Sequence, residues 1–317
     1  MIEAYWRFLG LPLSRLTGAL VDRVSWPVSE ILLWFGILSC CLWPLAWKAA
    51  WPWWGRMILG FGVLLLVIQG FSQGATPWDF VPTVFRDRPS ERIITNEVDG
   101  ESFNAWFAEA QHSVKNPAGE FYRNAPEQPE LKDVQAALGL VLAELNYPLG
   151  REVRAIKTMR GLSRLLGLAY GGPAYHDVIT GEVVMASALD YPSTKMWRWC
   201  TVVHECAHAQ GFTREMDAEI LTYLALKKMG EMGHFCALSL ALGKTQRKLD
   251  WPEFIRTELS EVQAQHKALH QPVVDMLRKW STAVNVQNSG QKYGALADGQ
   301  SLPPRDHEFF RVVLGVK

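Results

Sequence analysis

Two stretches of this chain contain no Asp, Glu, Lys or Arg: residues 31–47 (ILLWFGILSCCLWPLAW) and residues 57–78 (MILGFGVLLLVIQGFSQGATPW). A helix that crosses a bilayer needs about 20 mainly apolar residues, with a range that extends down to about 17. Both stretches meet that requirement, and they predict a transmembrane hairpin over 29–78 with spans at about 31–47 and 57–76. A cleaved signal peptide would sit at the extreme N-terminus and end in a small-x-small site. The first stretch begins at residue 31, has no such site, and is followed by a second apolar run. Trp26, Trp43, Trp47, Trp51, Trp53 and Trp54 lie around the ends of the runs, as amphipathic rings at headgroup depth do. The segment WPWWGR (51–56) reads as the loop of the hairpin.

Two spans put the N-terminal arm (1–28) and everything beyond residue 78 on one side of the cell membrane. Arg7, Arg15, Arg23, Arg86, Arg88 and Arg92 flank the hairpin on that side, against Lys48 and Arg56 in or next to the loop. The excess of positive charge predicts a cytoplasmic soluble part. Cys40 and Cys41 fall in the first span, and Cys200, Cys206 and Cys236 form no paired framework, so a disulfide-stapled external domain is not indicated. The 32 basic and 32 acidic side chains cancel, and the sequence offers no basic footprint of a nucleic-acid binder.

Past a proline-punctuated connector, helical periodicity returns at Ser102–Val114 and at Leu131–Asn146, where Val134, Ala137, Leu138, Val141 and Leu142 make one apolar stripe. A polar stretch holding Pro117, Pro126 and Pro129 reads as a loop. Glu152–Met159 and the β-branched run Thr180–Ala188 read as strands. Ser193 or Thr194 is placed to cap a helix that ends at Gly211, and Thr213 to cap the next. Helices are also expected over Gly233–Leu242 and Trp251–Ser281. The expected organisation is an arm (1–28), a membrane hairpin (29–78), a connector with a helix (79–130) and a mainly helical α+β domain (131–317).

Within the Thr194–Gly211 helix, His204, Glu205 and His208 spell H-E-x-x-H. Residues four apart share a helix face, so both imidazoles can address one zinc ion, one per chain, and Glu205 is the base for a water at that ion. Cys206 projects to the opposite face and reads as a buried small side chain. A chain of this length with eight histidines produces the motif by chance about once in a hundred, so its surroundings carry weight. The short turn at Gly211 brings Glu215, Asp217 and Glu219 back beside His208. Glu215 and Glu219 share a face and Asp217 points away from it. Glu215 is therefore assigned as third ligand and Glu219 as a group that orients a histidine, with Asp217 as the rival ligand. His266 and His270 repeat the spacing without a glutamate between them and read as an exposed pair.

The stretch HECAHAQGFTREMDAEILTYL resembles the signature of an uncharacterised bacterial family of two-span membrane proteins of gluzincin-like zinc metallopeptidase type. The likeness extends over both apolar runs, LSRLLGLAYGGPAYHDVITGEVV, and NSGQKYGALAD (Asn288–Asp298). It implies a zincin-type fold and a peptide or protein substrate held in a lipid bilayer setting. Glu215, Ala218 and Glu219 also resemble the E-x-x-A-[DE] third-ligand motif of CAAX-prenyl-protease-type and heat-shock-protease-type membrane peptidases, which implies that Glu215 binds the metal. Two features depart from that pattern: Met216 stands where an acidic residue is usual, and the second helix follows sooner. The resemblance further implies that the strand Thr180–Ala188 is an edge strand that pairs with the substrate backbone. Tyr293 and His234 are the candidate donors to a developing oxyanion. The functions that remain open are a membrane-anchored zinc metallopeptidase, a zinc hydrolase of a non-peptide amide, and a catalytically inactive zincin-fold sensor or scaffold.

Overall fold

The computed structural model of the protein describes residues 21, 23–48, 51–73, 100–115, 119–147, 153–161, 164, 174–177, 180–187, 191–212, 214–245, 247, 249–265, 267–268 and 304–315. It is mostly helical with one small sheet. It divides into two units, Met1–Arg86 with Gly150–Ser187 and Ala209–Thr213, and Asp87–Leu149 with Ala188–His208 and Arg214–Lys317.

In the first unit, the uncharged runs become α1 (Val28–Lys48) and α2 (Trp53–Gln73), packed against each other. Within α1, Val28–Ala46 is long and apolar enough to cross a membrane, and only 28% of its apolar stretch is buried. The loop between the helices is shorter than expected. The carbonyl of Pro52 accepts hydrogen bonds from the N–H groups of Gly55 and Arg56 at 2.9 and 3.4 Å, so Trp53, Trp54 and Arg56 already belong to α2. Gly62 lets the two helices approach, because a Cβ there would collide with the Ser39 hydroxyl and the Phe35 ring.

The sheet of the same unit has the order β1-β3-β2, with β1 Ala155–Thr158, β2 Ala174–His176 and β3 Glu182–Met185. β1 pairs parallel to β3, from Ala155 opposite Glu182 to Thr158 opposite Met185. β2 pairs antiparallel on the other side, with Tyr175 opposite Val184. The strand expected to present a free edge is thus the central one. Both of its backbone edges are taken and all four of its residues are buried, which removes it as a strand for β-augmentation. Its β-branched centre packs as a core strand does. β2, in a Gly/Pro-rich stretch without strand periodicity, was not expected.

Glu182, at the start of β3, is fully buried. One carboxylate oxygen meets the Lys157 ammonium at 2.7 Å and accepts from the Val28 N–H at 3.2 Å. The other accepts from the Ser29 N–H at 3.1 Å and from the Thr180 hydroxyl at 3.0 Å. Lys157 in turn donates to the Val21 and Val24 carbonyls at 2.8 Å each. A buried ion pair is tolerated when the remaining donors and acceptors are satisfied, and here they anchor the first N–H groups of α1, which lack helical acceptors.

The second unit contains α3 (Gly100–Lys115), α4 (Gly119–Asn124), α5 (Leu131–Glu144), α6 (Lys195–Ala209), α7 (Glu215–Lys227), α8 (Gly230–Lys244), helical residues 253–265, and α9 (Pro304–Gly315). α4 is a single short helix inside the proline-punctuated stretch expected to be loop. α7 is the centre of the unit and packs on α5, α8 and α9. Ile220, Leu221, Tyr223, Leu224 and Leu226 are all buried, so the helix is apolar on most sides, as a core helix must be. Fully burying each such side chain contributes about 1.5–3 kcal/mol. Phe309 and Phe310 of α9 close one end, Phe309 against Tyr223 and Phe310 edge-on to Phe103, with ring centroids 5.7 and 5.1 Å apart.

Candidate metal centre

α6 is amphipathic in a way that serves the motif. Met196, Trp199, Cys200, Val202, Val203, Cys206 and Ala207 are buried. Thr201, His204, Glu205 and His208, spaced i, i+3, i+4, i+7, form a half-exposed stripe on the other side. Cys206 falls in the core as its position predicts, and burial pushes its thiol far above the ordinary range, which makes it a poor ligand.

The start of α6 is held by side chains from distant elements. Its N-terminal amides have no helical acceptor. The Lys195 N–H donates to a Glu258 carboxylate oxygen at 2.8 Å, the Met196 N–H to the Tyr122 hydroxyl at 3.1 Å, and the Trp197 N–H to the Thr194 hydroxyl at 3.2 Å. Tyr122 then donates to Glu258 at 2.5 Å. Burial, followed by the bond to Glu258, raises the Tyr122 phenol well above its ordinary value. The Lys195 ammonium reaches the opposite way, to the carbonyls of Tyr122 and Ala125 at 3.0 and 2.7 Å. Among these groups only the Thr194 cap was legible as a sequence feature; Tyr122 and Glu258 carry no local signal.

At the other end, the chain reverses at Gly211, whose φ of +94° is a conformation that glycine adopts without steric cost. α7 then starts with Glu215 in its first turn. Thr213, the expected cap, lies outside the described residues, and Arg214 occupies the cap position without its side chain capping the helix. The His204 and Glu215 side chains meet with Nε2 and Oε2 3.0 Å apart, His208 Nε2 lies 3.5 Å from Glu215 Oε1, and the two imidazole Nε2 atoms are 3.0 Å apart. The rings stand edge to face, with centroids 4.6 Å apart. One ligand atom from each of the three residues lies within 4.8 Å of the other two. Hydrogen bonds from His204 and then His208 hold the Glu215 carboxyl well below the usual carboxylate range.

The other expected residues have separate places. Asp217 is fully buried, with a carboxylate oxygen 3.6 Å from an Arg214 guanidinium nitrogen, so it is not part of the His-His-Glu cluster. Glu219 departs from its expected role: it pairs with the Lys244 ammonium of α8 at 2.6 Å and not with a histidine. Helical spacing places Glu219 beside Glu215, but a cation on a neighbouring helix claims it. His234 is exposed on α8 and outside the cluster, and partial desolvation, then Lys227, lowers its pKa. Tyr293, His266 and His270 lie outside the described residues.

The cluster fits a zinc ion. Two neutral imidazoles and a carboxylate are the donor set of an open catalytic zinc site, and ligand nitrogens at about 2.0–2.1 Å in tetrahedral array stand about 3.3 Å apart. The 3.0 Å between the imidazole nitrogens is close to that separation. Comparison of the chain with protein-family models, with curated proteins and with solved structures finds no match.

Proposed function

We propose that the protein is a membrane-anchored zinc metallopeptidase of the two-span, gluzincin-like kind that its sequence resembles, with a zincin-type soluble part on the cytoplasmic side. The observation that carries the reading is the convergence of His204, His208 and Glu215 from two helices joined by a tight turn. These three residues would hold the ion. Zinc supplies Lewis-acid polarisation of a substrate carbonyl and acidification of a water. Glu205 shares the half-exposed stripe with both histidines. It takes the proton from the attacking water and delivers it to the departing amine, as general base and then general acid.

The membrane reading is supported by the surface of the hairpin. Ile31, Trp34, Leu38 and Leu45 on α1, and Trp53, Trp54, Met57, Ile58, Phe61 and Leu64 on α2, are exposed. Contiguous apolar surface of this kind marks a lipid or protein partner. α2 spans 21 residues with one charged side chain, Arg56, near its start, which supports a second crossing.

Metal analysis of the purified full chain tests the centre: about one zinc per chain is expected, lost in His204→Ala. Glu205→Gln should retain zinc and lose peptide hydrolysis. A Glu205→Gln protein that cleaves peptide as fast as the wild type would refute the mechanism.

A further inference from the structure

We propose that Trp197 is a specificity-determining residue of the metal centre, an aromatic platform for a large apolar side chain of an extended peptide substrate. The proposal deepens the peptidase reading and rests on it. Trp197 lies in the first turn of α6 and is 53% exposed. Among the described residues of the second unit, Leu140 is the one other large apolar residue left so open, and it belongs to a different helix, α5.

Helical phase ties Trp197 to the metal ligands. Trp197, Thr201, His204 and His208 stand at i, i+4, i+7 and i+11. At 3.6 residues per turn these four positions fall within an arc of about 60°, with Trp197 inside it. Met196, Trp199 and Cys200, from the same turn, point into the core. The turn itself is fixed, because the N–H groups of Lys195, Met196 and Trp197 end on Glu258, Tyr122 and Thr194. An indole on a fixed backbone has only two torsions to restrict when a ligand covers it, so ordering costs little.

The spacing selects the kind of ligand. Seven residues of helix place Trp197 about 10 Å from His204 along the axis, and an extended chain advances about 3.3 Å per residue. A peptide that presents its scissile carbonyl to the His204, His208 and Glu215 cluster and runs along the stripe therefore lays a side chain over the indole about three residues from the scissile bond. A compact amide of a few atoms does not span that separation. Covering the indole removes apolar surface from water, and an aromatic partner adds ring stacking.

The test incubates the zinc-loaded full chain in detergent with a random-sequence peptide mixture and maps the cut sites by mass spectrometry. Cut sites of the wild type are expected to be enriched in aromatic and large aliphatic residues about three positions to one side of the scissile bond. Trp197→Ala should keep its zinc and lose the enrichment. For a peptide carrying Phe at that position, kcat/KM should fall about tenfold, through KM, with kcat held within about twofold; the matching Gly peptide should be cut as by wild type. Trp197→Phe should keep most of the preference. The proposal is overturned if the enrichment survives in Trp197→Ala, or if that variant slows all peptides alike. If the zinc-loaded wild type cuts no peptide, the peptidase reading fails, and retention of the same mixture on immobilised protein decides the platform. Selective retention of aromatic peptides by wild type, lost in Trp197→Ala, upholds it; equal retention by the two proteins overturns it.

Discussion

Replacing Tyr122 by Phe deletes one oxygen atom and leaves the ring, so its effect isolates the group that fastens the start of α6. The hydroxyl donates to Glu258 at 2.5 Å and accepts from the Met196 N–H at 3.1 Å. A hydrogen bond to a charged partner contributes about 1.5–3 kcal/mol, and a buried N–H left without an acceptor costs about 1–3 kcal/mol. The two overlap, because Glu258 keeps its bond to Lys195 and the helix end can shift toward it. The expected destabilisation is therefore about 2–4 kcal/mol. Ring contacts with Phe235 and Phe254, at 5.6 and 5.1 Å, persist. Denaturant unfolding of the full chain in detergent, followed by far-ultraviolet circular dichroism, measures the difference. The pH dependence gives an independent check. In the folded protein the phenol is raised above its ordinary value of 10.0, so above pH 10 the unfolded state loses the proton first and binds fewer protons than the native one. Wild-type stability then falls with rising pH by about 1.4 kcal/mol per unit from this group. The Phe variant has no such group, so its deficit is constant below pH 10 and shrinks above it. A deficit under about 0.5 kcal/mol at pH 8, or one that stays the same from pH 8 to 11, refutes the role given to Tyr122.

Lys157→Met leaves Glu182 as a buried unpaired carboxylate and should destabilise the first unit by about 3–5 kcal/mol; adding Glu182→Gln should recover part of that loss in thermal unfolding. Glu215→Gln should weaken zinc binding by at least about tenfold in a competition titration. Glu219→Gln should leave zinc affinity unchanged and cost no more than about 1 kcal/mol of stability, since it breaks only the partly exposed pair with Lys244. Equal losses of zinc in the two would return Glu219 to the metal. Gly211→Ala, at φ +94°, should lower stability by about 1–2 kcal/mol, seen as a reduced melting temperature.

What the sequence made legible was whatever depends on neighbours a few residues apart. The charge-free runs marked α1 and α2, the stripe from Val134 to Leu142 marked α5, Thr194 and Gly211 bracketed α6, and the i, i+4 spacing placed His204 and His208 on one face. The separation of Glu215 from Asp217 also followed from helical phase. Relations between distant segments were not legible. Glu219 was assigned by phase alone, and the cation that takes it lies 25 positions away in Lys244. β3 had the composition of a strand, but its rank as the central strand depends on β2, whose three residues AYH have no periodicity to detect. Tyr122 and Glu258 hold α6 from 74 and 63 positions away, and nothing in their local sequence distinguishes them from an ordinary aromatic and an ordinary surface acid.

The anchoring of α1 by Glu182 bears on how that helix can move under the proposed membrane reading. A transmembrane helix normally adjusts to bilayer thickness by changing its tilt, at a cost of a fraction of a kcal/mol per Å of mismatch. That freedom presupposes a pliable joint between helix and body. Here the N–H groups of Val28 and Ser29 end on a side chain of the central strand, and Lys157 of the adjacent strand grips the carbonyls just ahead of them. If α1 lies in a bilayer as proposed, it cannot lean without either turning the three-stranded sheet with it or breaking a buried ion pair, and membrane thickness would then be a load on β1 and β3.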